Sequence, residues 1–443
     1  MRIIEDGEFD AYWQERPAKA GDAELDAAVL GVIAAVRKEG DRAVRRFASQ
    51  FDRSSPEKPE LPAAALRAAW ERLETAEPDL AEALELAADH ILRFARRQKA
   101  QIVDFEYEMG EGLITGQRVI PVQRAAVYVP AGRFPLISSV LMGVLPAAAA
   151  GVEEVLVVSP PLEDGLPDRR ILAAAFLAGR VGSLPPPALR VFALGGAQAI
   201  AALALGTETV PRVDLIAGPG NKYVAAAKRL LYGEVGIDFV AGPTDVLIIS
   251  DGKAGDAPGR DGADLAAADM LAQAEHDGDA RARALVPSRD LADRIAAALE
   301  KRLAALPTAS TARASLDAGG LIIIYHTPAE AVRIANTIAP EHLELQAADA
   351  ERWVPALKNY GSLFIGTMAA EVLGDYSAGI NHTLPTSASA RFTGGLSVRH
   401  FLKTPTTLRC TGGEAYVRAR LAAERIARAE GLMGHAASAE SRG

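Results

Sequence analysis

The feature of the sequence that most constrains the fold is an alternation of short apolar runs with helical stretches in the middle of the chain. The apolar runs are AAVYVP (125–130), EEVLVVSPP (153–161), RVFALGG (190–196) and VDLIAGPGN (213–221). Helical spacing marks the stretches after them, among them 136–150, 197–206 and 222–233. Two strands joined by a helix pair in parallel, because the helix carries the chain back to the edge where the first strand began. Repeated units of this kind predict a doubly wound parallel sheet.

A second series of apolar runs predicts a second α/β unit. These runs are DVLIISD (245–251), GLIIIYHT (320–327) and GSLFIGT (361–367), and helical stretches at 264–277 and 291–306 lie between them. Helical spacing also marks 25–40, 61–97 and 413–435. The predicted fold class is therefore α/β, with two Rossmann-like doubly wound α/β domains, a helical N-terminal segment and a small C-terminal helical tail.

Length and charge limit the class of protein. A chain of 443 residues exceeds what one hydrophobic core usually serves, so we expect two or more domains. The net charge of -9, with basic and acidic residues interspersed, argues against nucleic acid as a partner. The opening MRIIEDGEFDAYW has no apolar core, and the longest apolar stretch (141–152) is shorter than the ~20 residues of a membrane span. We therefore expect a cytoplasmic protein without membrane contact.

The single cysteine, Cys410, excludes an intrachain disulfide and a Cys-x-x-Cys metal site. It is either a free thiol or a nucleophile, and no histidine or asparagine follows it in a recognisable pattern.

Two glycine-rich turns stand where a predicted strand ends and a helix begins, at 195–196 and at 218–221. Glycine permits a sharp turn and lets a ligand approach backbone N–H groups at the positive end of a helix. Neither turn has the G-x-G-x-x-G spacing, so a purely structural turn and a ligand-binding turn both remain open.

Most of the candidate chemistry lies in the C-terminal half. Glu341 and His342 are adjacent in IAPEHLELQ, and an acid beside an imidazole suits proton transfer near neutral pH. Gln273 and His276 are three apart on a helical stretch, so both side chains leave the same face and can reach one ion. Taken alone, that pair is more often structural.

Further polar residues bracket the segment GDYSAGINH, which we expect to be a loop after a strand. Asp375 and His382 stand at its two ends, and polar residues of this density on a loop are more often part of a site than of a core. Glu430 and His435 lie near the end of the sequence in AEGLMGH, where a histidine is ordinarily just solvated.

Taken together, these segments resemble the histidinol dehydrogenase family along nearly the whole chain. The matching pieces, in order, are YVPAG, SSVLM, GGAQAIAALA, AGPGNKYV, AGPTDVLIISD, AQAEHD, APEHLEL, GDYSAGINHTLPT and AEGLMGH. Nine pieces in the family's order and spacing make coincidence implausible. The resemblance implies a zinc-dependent enzyme that oxidises L-histidinol to L-histidine in two NAD-linked steps through the aldehyde, the last stage of histidine biosynthesis.

The resemblance also implies roles for individual residues. Glu341 and His342 would form the catalytic acid/base pair. The implied zinc ligands are Gln273, His276, Asp375 and His435. The implied substrate contacts are these ligands together with Thr244, His342, Tyr376, His382 and Glu430. NAD would contact Tyr128, Gln198 and Asn221.

A homodimer with a swapped tail follows from the same resemblance, so Glu430 and His435 would act in the partner's site. The expected segments are an N-terminal helical segment (1–24) packing with the tail, and a first α/β domain (25–127 and 246–392) with most catalytic and zinc residues. A Rossmann-like NAD-binding domain (128–245) would be inserted in it, and residues 393–443 would form the swapped tail.

The sequence departs from the family in three places. Thr244 and Asp245 stand where Ser and Glu are usual, Arg133 and Phe134 stand where small residues are common, and TGGLSV (393–398) is an uncommon version. These departures bear on substrate specificity more than on reaction class.

Three alternatives remain. A sister dehydrogenase could act on another small alcohol such as sulfopropanediol, with Arg133 binding the sulfonate, although Glu430 would repel it. A zinc hydrolase could use Glu341 to activate water. A binding protein that has lost catalysis would lack one or more site residues, and none is missing.

Overall fold

Two parallel sheets covered by helices form the framework of the molecule, in a computed structural model that describes residues 1–15, 22–131, 135–253 and 259–443. Arg133, Phe134 and most of the Gly/Asp-rich loop expected at 254–262 lie outside the described residues. In chain order the strands are β1 (Arg2–Glu5), β2 (Phe105–Gly110), β3 (Leu113–Gln117), β4 (Ile120–Pro121), β5 (Arg124–Tyr128), β6 (Glu154–Ser159), β7 (Leu189–Ala193), β8 (Leu215–Ala217), β9 (Gly236–Ile237), β10 (Asp245–Ser250), β11 (Arg281–Val286), β12 (Leu321–Ile324), β13 (His342–Gln346), β14 (Ser362–Ile365), β15 (Leu402–Lys403) and β16 (Thr406–Cys410).

The helices occupy the segments between and around these strands. They are α1 (Asp6–Gln14), α2 (Ala23–Glu39), α3 (Asp41–Phe51), α4 (Ala63–Ala76), α5 (Pro78–Lys99), α6 (Ile137–Ala150), α7 (Arg169–Val181), α8 (Gly196–Leu205), α9 (Lys222–Leu231), α10 (Gly262–Ala274), α11 (Arg289–Leu303), α12 (Ala309–Gly319), α13 (Pro328–Ile338), α14 (Ala350–Trp353), α15 (Glu371–Tyr376), α16 (Glu414–Ala429) and α17 (Met433–Glu440). Short 3-10 helices lie at Val354–Ala356, Ser389–Arg391 and Val398–Phe401.

The first sheet has the strand order β7-β6-β5-β8-β9, and its neighbouring strands pair in parallel. The predicted strand–helix alternation between 125 and 233 is therefore confirmed. The chain moves outward from β5 to β7 and then returns to place β8 on the other side of β5. The order reverses between β5 and β8, and in open α/β sheets ligands bind outside the carboxyl ends of the strands at such a point.

Both faces of the first sheet are covered by helices that precede it in the chain. α2 and α3 pack with α8 and α9 on one face, and α4 and α5 pack with α6 and α7 on the other. The apolar stripe of α2, with Val29, Ile33 and Val36 buried, faces the sheet. The helices α2–α5 are therefore held against the first sheet by their apolar faces.

The second sheet has the order β1-β12-β11-β10-β13-β14, all parallel. The predicted runs at 245–251, 320–327 and 361–367 supply β10, β12 and β14. Three strands were not predicted. β11 (RARALV) and β13 (HLELQ) carry polar residues that interrupt the apolar run, and β1 stands in a segment expected to be helical, where α1 follows it.

A small antiparallel sheet of order β16-β3-β2 and the helices α16 and α17 complete the described chain. The predicted C-terminal helix is two helices, with Glu430 capping the first. The hairpin of β2 and β3 was not predicted. Among the described residues, no helix combines the length and the apolarity needed to cross a membrane.

Candidate active site and cofactor groove

Glu341 and His342 stand at the amino end of β13 and are 5% and 3% exposed. β13 pairs with β10, so Thr244, just before β10, lies beside the acid. The Thr244 hydroxyl donates to Glu341 Oε2 at 2.5 Å, and the Asp245 backbone N–H donates to the same oxygen at 3.1 Å. The carboxyl group is therefore held from two sides, although complete burial raises its pKa to about 7.

His342 is enclosed by carboxylates but makes no hydrogen bond through either ring nitrogen. Its Nδ1 lies 3.9 Å from Glu341 Oε2 and 3.7 Å from Glu371 Oε1, and its Nε2 lies 3.5 Å from Asp375 Oδ1. Burial by itself would lower the pKa of the imidazole, but the surrounding negative charges outweigh it and hold the pKa well above the usual value. The ring therefore stands ready to exchange a proton with a further group.

Asp375 lies on a short helix, not on the loop expected there. α15 places Glu371 and Asp375 four residues apart, so both carboxylates leave the same face toward His342. Burial raises the pKa of Glu371 to about 8. Burial also acts to raise the pKa of Asp375, but the neighbouring His342 imidazole, with its Nε2 3.5 Å away, outweighs it and holds that pKa below its usual value. Glu371 was not singled out from the sequence, although its spacing from Asp375 is a usable signal.

Gln273 and His276 arrive from the end of α10. The Gln273 amide is fully buried and is 2.8 Å from Thr244 Oγ1 in either of its two orientations. When the amide is rotated, its nitrogen also donates to Glu371 Oε1 at 2.8 Å. His276 is exposed, and its ring nitrogen lies with carboxylate oxygens of Glu371 and Asp375 in a group whose atoms are all within 4.8 Å of one another.

When its carboxyl groups are ionised, this cluster carries an excess of negative charge. Among the described residues, neither lysine nor arginine forms an ion pair with Glu341, Glu371 or Asp375, and His342 is the cationic group beside them. Buried carboxylates without a counterion are costly, and a cation bound by nitrogen and oxygen ligands relieves that cost. The residues present therefore fit a metal ion of the kind that the sequence implied.

His382 links this cluster to the first sheet. Its Nε2 is 3.1 Å from Ser139 Oγ on α6, and its Nδ1 is 3.0 Å from the Asp375 carbonyl oxygen. Asn381 Nδ2 donates to the Met142 carbonyl of the same helix at 2.7 Å. The predicted site residue His382 thus lies next to Asp375, and Tyr376 stands exposed on α15.

A second layer of acids lies behind Glu371 and was not foreseen. Glu344 Oε1 accepts from the Glu371 backbone N–H at 2.8 Å, and the Gln346 amide donates to both Glu344 and Asp269 at 2.7 Å. Burial raises the pKa of both Glu344 and Asp269 above their usual values. Glu344 alternates with apolar residues on β13, a pattern that sequence reading takes as a strand face rather than a site.

The three predicted cofactor residues line one groove of about 950 Å³. Tyr128 ends β5, Gln198 lies in the first turn of α8, and Asn221 caps α9 by accepting from the Tyr223 and Val224 N–H groups. The Tyr128 hydroxyl accepts from the Gly196 N–H at 3.2 Å. The groove lies at the carboxyl ends of β5 and β8, where the strand order reverses.

Asp52, at the end of α3, also lines this groove and was not singled out from the sequence. Its Oδ2 accepts from Gln198 Nε2 at 3.2 Å. Burial raises the pKa of Asp52 to about 6. No pattern in the sequence connects Asp52 with the glycine turn at 195–196.

Glu430 and His435 are not brought to the cluster within one chain. Both are exposed, at the end of α16 and on α17. Their roles in a partner's site stay predictions.

A buried acid/base pair, a cluster of nitrogen and oxygen groups that fits a metal ion and a groove at a strand reversal are together typical of an α/β enzyme of the dehydrogenase class. Comparison with known proteins identifies the family: the histidinol dehydrogenase family model matches residues 15–443, and this chain belongs to that family.

Curated relatives and a solved structure agree with this assignment. Histidinol dehydrogenase from Thermus thermophilus is 46% identical over 422 residues, which cover 95% of each chain. The enzyme from Pseudomonas aeruginosa is 43% identical and covers 95% of this chain and 91% of its own. The crystal structure of histidinol dehydrogenase from Elizabethkingia anophelis matches with a TM-score of 0.88 at 31% identity, covering 100% of this chain and 97% of that one.

Proposed function

We propose that this enzyme oxidises L-histidinol to L-histidine in two successive NAD-linked steps through the aldehyde, with zinc at the ligand cluster. The observation that carries the proposal is the buried Glu341–His342 pair, whose imidazole lies 3.7 Å from Glu371 and 3.5 Å from Asp375. A family member that retains an acid, a base and a metal-capable cluster together has what both oxidations require.

His342 accepts the hydroxyl proton of the alcohol in the first step. It does so in its neutral form, which a cation bound beside Glu371 and Asp375 would favour by offsetting the negative charges that raise the pKa of the imidazole. In the second step Glu341 takes a proton from the water that adds to the aldehyde. A carboxyl group with a pKa of about 7 is suited to that exchange near neutral pH.

Gln273, His276 and Asp375 would hold the zinc, with His435 of the partner as fourth ligand. When bound, the ion would fix the imidazole and amine of the substrate and so orient the carbinol carbon. Thr244, Tyr376 and His382 would complete the substrate contacts, and Glu430 of the partner would attract the substrate ammonium.

NAD would bind the groove lined by Tyr128, Gln198 and Asn221, and when bound it accepts the hydride in each step. The start of α8 at Gly196 and the Asn221-capped start of α9 present backbone N–H groups to this groove, and such groups bind pyrophosphate well.

A homodimer with exchanged tails is part of the proposal. It is supported by large apolar side chains exposed on the small sheet and on the tail, namely Phe105, Tyr107, Met109, Leu408, Ile426, Leu432 and Met433. Apolar groups gathered on one surface mark association sites. A second copy covering this surface would also bring Glu430 and His435 to the neighbouring cluster.

The test is NADH formation from L-histidinol, with and without a chelator, counted per substrate consumed. Two NADH per histidinol, lost on chelation and restored by zinc, are expected. Turnover of a sulfonated or other alcohol in place of histidinol would move the activity to a sister reaction, and turnover without nicotinamide would indicate a hydrolase.

A further inference from the structure

We propose that Asp52 binds the adenosine ribose diol of the dinucleotide and thereby selects NAD over NADP. This inference rests on the proposed cofactor groove and names the group in it that reads the ribose. The two glycine turns provide no acid for the ribose hydroxyls, and Asp52 supplies one from a helix that the sequence places about 140 residues earlier.

The position of Asp52 is fixed by packing. α3 contacts α8, so the end of α3 lies over the glycine turn that begins α8. A Cβ on Gly195 would stand 2.4 Å from Asp52 Oδ1, so only glycine lets the carboxylate approach this turn. This close approach explains why residue 195, just before the start of α8 at Gly196, is a glycine.

The Asp52 carboxylate is held but not saturated. Gln198 Nε2 donates to Oδ2 at 3.2 Å, and the backbone of Gly195 lies against Oδ1. A carboxylate offers about four acceptor sites, so sites remain for two hydroxyl donors. Among the described residues no lysine or arginine forms an ion pair with it, and its negative charge stays uncompensated beside the groove.

The rest of the groove lining suits the other parts of an adenine dinucleotide. Phe47 and Phe51 stack with centroids 6.0 Å apart, and with Val29 and Val32 they give an apolar surface for a flat base. Backbone N–H groups at the starts of α8 and α9 suit the pyrophosphate. The Asp52 carboxylate lies in the same groove as the apolar surface and the helix starts. A sugar that joins the base to the phosphates would lie beside it.

The same carboxylate disfavours a 2′-phosphate, because two like charges would meet in a half-buried site. Two arginines line the groove as well. Arg46 is engaged by Glu39 at 2.7 Å, whereas Arg53 is exposed and adjacent in sequence to Asp52. The exposed Arg53 guanidinium would attract the 2′-phosphate, whereas the Asp52 carboxylate would repel it. Comparing the affinities for NADP and NAD measures which of these two charges dominates.

The experiment is equilibrium binding by calorimetry of NAD, NADP and an NAD that lacks the adenosine 2′-hydroxyl. For the parent enzyme we expect NADP to bind on the order of 100-fold more weakly than NAD, and loss of the hydroxyl to weaken binding about tenfold or more. In Asp52→Asn the hydroxyl penalty falls below about threefold and the NADP penalty shrinks in parallel.

Asp41→Asn is the matched control, since Asp41 begins the same helix, is buried and lies outside the groove lining. It should leave both penalties unchanged. If Asp52 only orients Gln198, the Asp52→Asn enzyme binds all three ligands more weakly but keeps both penalties, and the inference is overturned. Equal affinity of the parent enzyme for NAD and NADP overturns it as well.

Asn221→Ala separates this inference from the proposed function. NAD affinity unchanged in Asn221→Ala and in Asp52→Asn would show that the groove is not the cofactor site. Weaker NAD binding in Asn221→Ala, together with unchanged ribose penalties in Asp52→Asn, would reject the role of Asp52 alone.

Discussion

At the scale of single residues, Asp245 holds Glu341 at two points. The Asp245 N–H donates to the Glu341 carboxylate, and the Glu341 N–H donates to Asp245 Oδ1 at 3.2 Å. Thr244 donates to the same carboxylate. The Thr–Asp pair that departs from the usual family residues is therefore in direct contact with the acid, so any effect of that departure acts on Glu341.

Replacing Glu341 by Gln should spare the first oxidation and slow the second by about 10²-fold or more, because the amide accepts no proton from water. The measurement is aldehyde accumulation in single-turnover reactions, with aldehyde supplied directly in a parallel assay. Equal slowing of both oxidations would contradict the division of labour between Glu341 and His342.

Replacing His342 by Asn should abolish the first oxidation and leave zinc content unchanged. The ring is placed to move a proton and is not among the proposed ligands. Metal analysis of the purified variant checks this, and loss of zinc would reassign His342 as a ligand.

At the scale of elements, neighbouring strands fix the site. Asp245 on β10 pairs with Arg283 on β11 at 2.9 Å, and both side chains are at most 10% exposed. This ion pair joins β10, whose Asp245 contacts Glu341, to β11, which carries no catalytic group.

Arg283→Met alone should destabilise the protein by about 3–5 kcal/mol, since it leaves the Asp245 charge buried without a partner. The double variant Arg283→Met/Asp245→Asn should recover part of that loss. Urea unfolding of the two variants and the parent measures the difference, and a double variant less stable than Arg283→Met would count against an ion-pair origin.

The meeting of β13 with α15 makes metal binding depend on pH. Burial raises the pKa of Glu341 to about 7 and of Glu371 to about 8, so both carboxyl groups tend to keep a proton without a cation. Raised values stabilise the metal-free protein at low pH, and that contribution is lost as pH rises from about 4.5 to 8.

Zinc should therefore raise the melting temperature more at pH 8 than at pH 6, and its binding should release protons. Melting curves with and without zinc, and calorimetry in buffers of different ionisation enthalpy, measure these effects. A stabilisation by zinc that is equal at both pH values would show that these carboxyl groups do not exchange their protons for the ion.

Sequence reading went furthest where the signal is local. Strand–helix alternation predicted the first sheet. Motif matching gave Tyr128, Gln198 and Asn221 a common role, and in the structure they line one groove. Asp52, Glu371 and Asp269 were not predicted as site residues because none lies in a recognised motif. Only tertiary packing brings them to a site. The strand β13 was not predicted because Glu344 and Gln346 interrupt its apolar pattern. Both side chains are nevertheless buried, and the Gln346 amide donates a hydrogen bond to Glu344.

At the scale of the whole molecule, the proposed dimer completes each site with the tail of the other copy. A chain truncated after Gly431 loses His435 and should bind zinc more weakly and turn over histidinol poorly. Mixing it with full-length His342→Asn, itself inactive, should restore activity, because the truncated chain supplies an intact cluster and its partner supplies the tail. No restoration in confirmed heterodimers would mean that each tail serves its own chain.

The pairing of β1 with β12 sets an order of events during protein synthesis. All strands of the first sheet and the helices α2–α9 that cover it lie between 23 and 237, whereas β1 pairs only with residues 321–324. At about 5–20 residues per second the ribosome needs several seconds to synthesise residues 238–320, which separate the first sheet from β12. During that interval the first sheet can form while β1 has no neighbouring strand. The sheet that carries Glu341 and His342 can therefore be completed only after the chain of the first sheet has been made.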